Sequence, residues 1–578
     1  DPKFAVVLER AMGRASAAGV AAVAEHAVTR IGPKGTQKQV KLDRVEFTSV
    51  QHTTSRAGDP HYHRHVQLLP VGMVNGEWRA FDGRVLYRQA ERFNSAADLS
   101  ISTDVEMREY LAEHGVTWVP GQGGGDIVEL LGEVDKYSTR RDQIGVNRES
   151  LEIEWRIAHP GQEPGPRQRQ AWDTHAWAQD RPTKAPDREL TPEAMAERVG
   201  AVIPQNVDQV LTGQTAQQID PETVAQSALD ELGRARSAWS KGDVIAAVDR
   251  RLAATYLIGG EGVSELRAAA LAHVMEHSVS FLDDGVNVEG VRHYTSDQVL
   301  AVDQQLTDAL ITRALIPGDN GQVQTKHDGF TLSEEQTVAA EAIAGTHQLV
   351  VIQGAAGAGK TTMLQVAAEA VQEQGRRLVV VSPTKRGAIE AGNVLGTAGD
   401  SVHALLYRAG ARVDEETGRW VLPEQWDPQP DAWRMDEGTV LVVDEAGMLD
   451  QDTAAALHAY IDAHRVGTFV LSGDAAQLAA VGRGGYLARA AQLAGVSLDL
   501  TDVRRFRTPD GEIDDSYAEL SLRMRDGDNP AMIFDELAAR GLVQIGTLDV
   551  QLERIANTVA LEERLGTDSI VIAPTNAA

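Results

Sequence analysis

His347-Gln-Leu-Val-Val-Ile-Gln-Gly-Ala-Ala-Gly-Ala-Gly-Lys-Thr-Thr362 decides the fold. Leu349 to Ile352 is a short apolar, β-branched run of the kind that forms a buried strand. Gly354, Gly357 and Gly359 then free the backbone, and an amphipathic helix is expected to begin near Lys360. The spacing G-x-x-x-x-G-K-T, with strand before and helix after, is that of a phosphate-binding loop.

The chemistry explains the residue types. Backbone N–H groups of Gly354, Ala355, Ala356, Gly357, Ala358 and Gly359 can curl around phosphate oxygens, and the helix start at Lys360, Thr361 and Thr362 adds its partial positive charge. Lys360 can reach β and γ phosphates, and the Thr361 hydroxyl can ligate Mg²⁺. A glycine-rich turn joining strand to helix is the plainer alternative. The Lys-Thr pair at this spacing argues against it.

Working outward, 578 residues with 42% hydrophobic content imply several globular domains with ample core. No run of eighteen apolar residues suggests a membrane span, and the first thirty residues look amphipathic rather than like a signal peptide. The absence of cysteine excludes disulfides and thiolate sites and suits a bacterial cytoplasmic protein. A formal net charge of −29 counts against a uniformly basic nucleic-acid coat but leaves room for a narrow basic groove. Residue 1 is Asp, and the chain stops at Ala578 inside what reads as a domain, so a fragment cut at both ends is expected.

Near the beginning, Phe4 to Val28 has helical periodicity. Val40 to Val50 alternates as a strand, slips near Arg44, and delivers His52 just past its end. After a polar turn, His61-Tyr-His-Arg-His65 opens a second strand. Residues i and i+2 share a face roughly 6 to 7 Å apart, so His63 and His65 can converge on one ion. His61 and His65, roughly 13 Å apart, cannot both join, which makes His52 on the neighbouring strand the natural third ligand. Three neutral imidazoles suit a divalent ion that activates a phosphate or water. Spacing alone favours surface histidines on a strand over a metal site.

His52-Thr-Thr-Ser-Arg-Ala-Gly-Asp-Pro-His-Tyr-His-Arg-His65 resembles the metal motif of MobF-class conjugative relaxases, which have the fold of HUH endonucleases. The resemblance implies that His52, His63 and His65 hold a divalent metal that polarises a single-stranded DNA phosphate. Trp78, Asp82-Gly83 and Leu86-Tyr87-Arg88 continue the likeness. Pro70 stands where the family has Asn, a departure expected to alter strand pairing. The family's nucleophilic tyrosine matches no tyrosine here, so nicking is expected to be lost in this fragment. Ser138 to Gln143 resembles the helix near the end of the relaxase module. Prolines and glycines between Pro160 and Pro186 suggest a linker, with Trp172 and Trp177 making separate packing contacts.

From Thr191 to about residue 325 the pattern is helical and poor in chemistry, similar to the small domain that precedes the motor in RecD-like helicases. His273, His277 and His293 read as surface or core histidines. Beyond it, Arg377 to Val381, Thr439 to Val443 and Thr468 to Ser472 read as further strands. Carboxylates at a strand's C-terminal end face the nucleotide in an α/β sheet. Asp444 is placed to hold Mg²⁺, and Glu445 to orient and deprotonate water.

Several stretches resemble superfamily 1 helicase motifs. Leu332-Ser-Glu-Glu-Gln336 is similar to the Q-motif, which implies adenine reading by Gln336. Ser382-Pro-Thr-Lys-Arg386 is similar to motif Ia, which implies DNA-backbone contact by Lys385 and Arg386. Gly473-Asp-Ala-Ala-Gln477 resembles motif III, with Gln477 sensing the γ-phosphate. Leu498 to Phe506 resembles the start of motif IV, with Arg505 rather than Arg504 reaching the nucleotide. Leu522 to Asp528 and Ile570 to Asn576 fit the second motor domain.

The expectation is an α/β multidomain chain: a partial relaxase domain of α+β type (1–190), a helical domain (191–325), a first RecA-like parallel-sheet domain (326–497) and part of a second (498–578). The implied function is that of a conjugative relaxase-helicase, using ATP to unwind DNA 5′ to 3′ and a metal to nick it at the transfer origin. DNA, both single-stranded and at a duplex junction, and other conjugation proteins are the expected partners, with no membrane. A repair helicase with a non-catalytic N-terminal domain and a non-motor ATP-binding scaffold are the rival readings.

Overall fold

A computed structural model describes residues 2–128, 145–153 and 213–559, apart from a few short stretches. Ser138–Gln143, Trp172, Trp177, the Thr191 helix start and Ile570–Asn576 lie outside the described residues. The chain forms two compact units, one running to Leu232 and resuming from Ala238 to Tyr294, the other taking Gly233–Ser237 and continuing from Thr295.

The first unit begins with α1 (Pro2–Glu25), followed by the paired strands β1 (Val28–Ile31) and β2 (Lys38–Lys41). Next come β3 (Arg44–Thr54), β4 (Pro60–Val74) and β5 (Glu77–Ala80), an antiparallel sheet in that order. The slip near Arg44 is a true break. Leu42 turns into the core with Ala27 and Val74, so residues 38–41 and 44–54 join different sheets. His52 lies inside β3, not past its end. Pro70 sits where the β3–β4 register shifts between Val45 and Phe47, a bulge that tolerates a residue without an N–H. Helices α2 (Ala90–Ser102), α3 (Val105–Glu113), α4 (Pro221–Ala235), α5 (Lys241–Ala253) and α6 (Val263–Glu276) follow. His293 is buried, with Nδ1 3.0 Å from the Val291 carbonyl oxygen.

The second unit opens with α7 (Asp297–Ala314) and α8 (Glu334–Ala344). It then alternates β6 (Leu349–Gly354), α9 (Lys360–Glu373), β7 (Arg377–Ser382), α10 (Lys385–Leu395), β8 (Gly399–Ser401) and α11 (Val402–Arg408). The alternation continues through β9 (Thr439–Val443), α12 (Gln451–Ala463), β10 (Thr468–Gly473), α13 (Tyr486–Leu493), β11 (Ser497–Leu500), α14 (Asp515–Asp526) and α15 (Pro530–Ala539). The six strands form one parallel sheet in the order β8-β7-β9-β10-β6-β11.

Strand periodicity divides the core. Val351, Val379, Leu441 and Phe469 face one layer with α12 and α13. Val350, Ile352, Val380, Val442 and Val470 face the other with α8 and α9. Each such buried side chain contributes roughly 1.5–3 kcal/mol. Burial on both faces explains the unbroken apolar runs. Among the described residues no helix is long and apolar enough to cross a membrane.

Candidate functional site

Parallel pairing brings the C-terminal ends of β6, β9 and β10 together. The loop after β6 uses left-handed backbone at Gly357 (φ +87°) and Gly359 (φ +76°), where a β-carbon would be strained. Gly359 caps α9, so the loop's N–H groups lead into the helix start. Ala355 and Ala358 are buried and anchor the loop, while Ala356 and Thr361 are exposed and Thr362 is half-buried. Lys360 Nζ donates to the Gly354 carbonyl at 2.7 Å and to that of Ala355 at 3.5 Å, lying back along the loop.

Asp444 and Glu445 follow β9. Burial raises the Asp444 carboxyl above the ordinary range, against the hydrogen bond from Ser472 Oγ (3.1 Å) and the charge of Lys360. Glu445 is raised by burial and then by Asp444, with Asp474 adding to the effect and Lys360 opposing it. Its backbone is left-handed (φ 57°), a strained conformation for a side-chain-bearing residue. Gln477 Nε2 donates to Asp474 Oδ2 at 3.0 Å.

The two arginines are placed differently. Arg504 turns to Asp502, its Nε 2.8 Å from Oδ2, while its N–H donates to the Gly357 carbonyl at 3.2 Å. Arg505 is exposed and lies against the loop: a β-carbon on Gly357 would stand 2.4 Å from Arg505 Cβ. Gln336 is buried and fully engaged. Its Oε1 accepts from Ser333 N in a capping box, and its Nε2 donates to the Ala358 carbonyl at 3.1 Å. In this arrangement it braces the loop from α8. Lys385 and Arg386 start α10 on an exposed face, with Arg386 Nε 2.7 Å from Glu390 Oε1.

Sequence reading missed three members of this cluster. Ser472 reaches Asp444, Glu335 accepts both the N–H (2.8 Å) and the hydroxyl (2.7 Å) of Thr501, and Arg525 pairs with Asp474. All three lie in stretches already singled out (Thr468 to Ser472, Leu332 to Gln336 and Leu522 to Asp528), but nothing in the spacing marked these side chains.

In the first unit, His52 and His63 are direct partners across β3 and β4, and His65 lies two residues on. Ring centroids are 5.3 Å apart for His52–His63, 4.9 Å for His52–His65 and 5.0 Å for His63–His65. A metal–nitrogen bond of about 2.1 Å puts three ligating rings about 4.5 to 5.2 Å from one another at octahedral to tetrahedral angles. The donor set therefore fits a divalent ion in kind and spacing. His63 Nδ1 meets the His61 carbonyl at 2.9 Å and so carries the hydrogen, which leaves Nε2 as the free acceptor. As they stand, no three His, Asp or Glu side chains among the described residues meet atom-level metal geometry, and the His52 and His63 rings are stacked rather than aimed at one point. His61 stacks on His63 at 4.6 Å, nearer than its place along the strand suggests, and burial followed by the His63 charge lowers its pKa.

Fold and site together define a phosphate-loop α/β unit preceded by a histidine-bearing antiparallel sheet. Residues 1–201 match the TrwC relaxase family, and residues 331–548 match an AAA domain family. The chain thus carries a match to a relaxase family in its first third and a match to an AAA domain family further on. Conjugal transfer protein TraA of Agrobacterium fabrum is 38% identical over 150 residues, which cover 25% of this chain and 12% of that protein. The ATP-dependent RecD2 DNA helicase of Deinococcus radiodurans is 29% identical over 213 residues, covering 36% of this chain and 27% of that protein. The chain thus matches only a small part of these relatives' length. Among solved structures, metal-bound conjugative relaxase TrwC with OriT DNA shares 19% identity, covering 34% of this chain and 62% of that one, with a TM-score of 0.25. Pif1 helicase of Candida albicans shares 17%, covering 36% and 47%, with a TM-score of 0.26.

Proposed function

We propose that this chain is part of a conjugative relaxase-helicase in which ATP-driven 5′ to 3′ DNA unwinding is joined to metal-dependent nicking of single-stranded DNA at the transfer origin. The nicking step itself is lost from these residues, where no tyrosine matches the nucleophile. The division that goes with it is a relaxase region (1–190), a helical region (191–325) and two motor regions (326–497 and 498–578). The observation that carries the motor reading is the meeting, at one edge of a parallel sheet, of the phosphate loop, the Asp444-Glu445 pair and the Arg505 segment.

In this reading, the loop N–H groups and Lys360 hold the phosphates, and Thr361 and Asp444 hold Mg²⁺ with the nucleotide. Glu445 draws the proton from the attacking water, Gln477 senses the terminal phosphate, and Arg505 stabilises the charge that develops there. Gln336 holds the loop in shape. Lys385 and Arg386 contact the DNA backbone, so affinity falls steeply with salt despite the acidic total. His52, His63 and His65 hold a divalent ion, which when bound supplies positive charge to polarise a scissile phosphate. The relatives named for conjugal transfer favour this reading over a repair helicase. Other conjugation proteins are the partners it implies.

Lys360→Ala should abolish DNA-stimulated ATP hydrolysis while leaving the metal content unchanged. His63→Ala should do the reverse, losing bound metal by elemental analysis and keeping hydrolysis. Full hydrolysis in Lys360→Ala would sink the motor assignment, and unchanged metal content in His63→Ala would sink the histidine site.

A further inference from the structure

Asp474 is 3% exposed and follows β10. Its carboxylate accepts from Ala476 N at 3.0 Å and Gln477 Nε2 at 3.0 Å, and from Arg525 Nε at 2.9 and 3.0 Å to the two oxygens. Arg525 stands in the last turn of α14. Ala518 of that helix packs with Val503 and with Ala355 of the phosphate loop, and Leu522 joins the same cluster. One helix therefore rests its apolar side on the loop and extends its arginine to the segment that holds Gln477.

That segment also lies against the turn that follows the acidic pair. A β-carbon on Gly447 would stand 2.8 Å from the Asp474 carbonyl oxygen. A carboxylate only accepts, so Asp474 fixes which end of the Gln477 amide faces it and leaves the second N–H and the carbonyl for another partner. Charge-assisted bonds to a buried carboxylate are short and strong, which makes this a defined clamp rather than a surface pair.

We propose that Arg525 is a positioning residue for nucleotide hydrolysis: by holding Asp474 it sets the Gln477 amide. The proposal rests on the hydrolase reading above and deepens it. Without Arg525, Asp474 loses its charge-assisted partner and the Gln477 amide loses its fixed anchor.

The test is ATP hydrolysis by the whole chain, with nucleotide affinity measured separately by a fluorescent ADP analogue. Arg525→Gln should lower kcat about tenfold and leave KM within about twofold. Arg525→Lys, which keeps the charge, should recover most of kcat. Unchanged kcat in Arg525→Gln overturns the proposal. A second readout is independent of turnover. Hydrogen exchange at the Ala476 amide should speed up about tenfold in Arg525→Gln, and unchanged exchange overturns the clamp. If wild type and Lys360→Ala alike hydrolyse no ATP, the hydrolase reading fails, while the exchange experiment still decides the clamp.

Discussion

Two glycines of the second unit form a matched pair for asking whether Arg505 is seated on the phosphate loop. Gly357 has φ +87° and Gly375 has φ +71°, so alanine at either position carries left-handed strain of roughly 1–2 kcal/mol. The surroundings differ. At 357 the new β-carbon would stand 2.4 Å from Arg505 Cβ and 3.1 Å from its Cδ, whereas at 375 nothing lies within 4 Å. Arg505 is exposed and follows the end of β11, so its segment yields to the clash. Gly375→Ala should lower stability alone. Gly357→Ala should lower stability by a similar amount and, in addition, cut kcat toward the level of Arg505→Ala, a loss of about a thousandfold on the scale of arginine fingers. Urea unfolding gives the first quantity and steady-state ATP hydrolysis the second, with ADP titration to separate binding from chemistry. The double variant Gly357→Ala/Arg505→Ala should be no slower than Arg505→Ala. Equal kcat in the two glycine variants, or fully additive losses in the double variant, would refute the reasoning.

Glu445→Gln should abolish hydrolysis yet raise stability at neutral pH. The folded pKa of Glu445 lies above the ordinary value, so its ionisation costs stability above that pKa, and the cost vanishes as pH falls below the unfolded value. A denaturation series over pH checks that the gain disappears in acid. His458 is buried against Tyr486, with Nε2 2.6 Å from the hydroxyl, and burial lowers its pKa to about 4. The folded value lies below the unfolded one, so stability present above about pH 6.5 should be lost as pH falls toward 4, by about 3 kcal/mol. His458→Phe should flatten that slope, measured by urea midpoints at each pH. Lys385→Ala should weaken DNA binding at all sequences and reduce the logarithmic salt slope by about 1, read from fluorescence anisotropy.

Local periodicity made the central strands readable. Apolar runs from Leu349, Arg377, Thr439 and Thr468 became strands because burial on both faces demands such runs. The phosphate loop was equally legible, since Gly357 and Gly359 occupy backbone conformations that favour glycine. What escaped was set by distance along the chain. Nothing in the spacing links Arg525 to Asp474, or Glu335 to Thr501, because those pairs form only when the sheet brings their segments together. Gln336 shows a subtler limit. A Ser-x-x-Gln capping box and a nucleotide-reading glutamine have the same sequence, and only the structure reveals both ends of the amide engaged by protein. At the histidines the strand face was readable, but the ring stacking of His52 on His63 follows from cross-strand register, which a single strand does not disclose.

The sheet order has a consequence for synthesis on the ribosome. β6 lies between β10 and β11, whereas β7, its successor in sequence, is three places away. The strand bearing the phosphate loop therefore remains unpaired on both sides until Thr468 to Leu500 has emerged, more than a hundred residues later. Such long-range parallel pairing is slow and leaves apolar strand edges open to aggregation. The motor should thus acquire its nucleotide site abruptly and late in translation, making nascent chains that have not yet exposed Leu500 clients for chaperones rather than weak ATPases. Release profiles of arrested chains that gain nucleotide binding before β11 emerges would contradict this order of assembly.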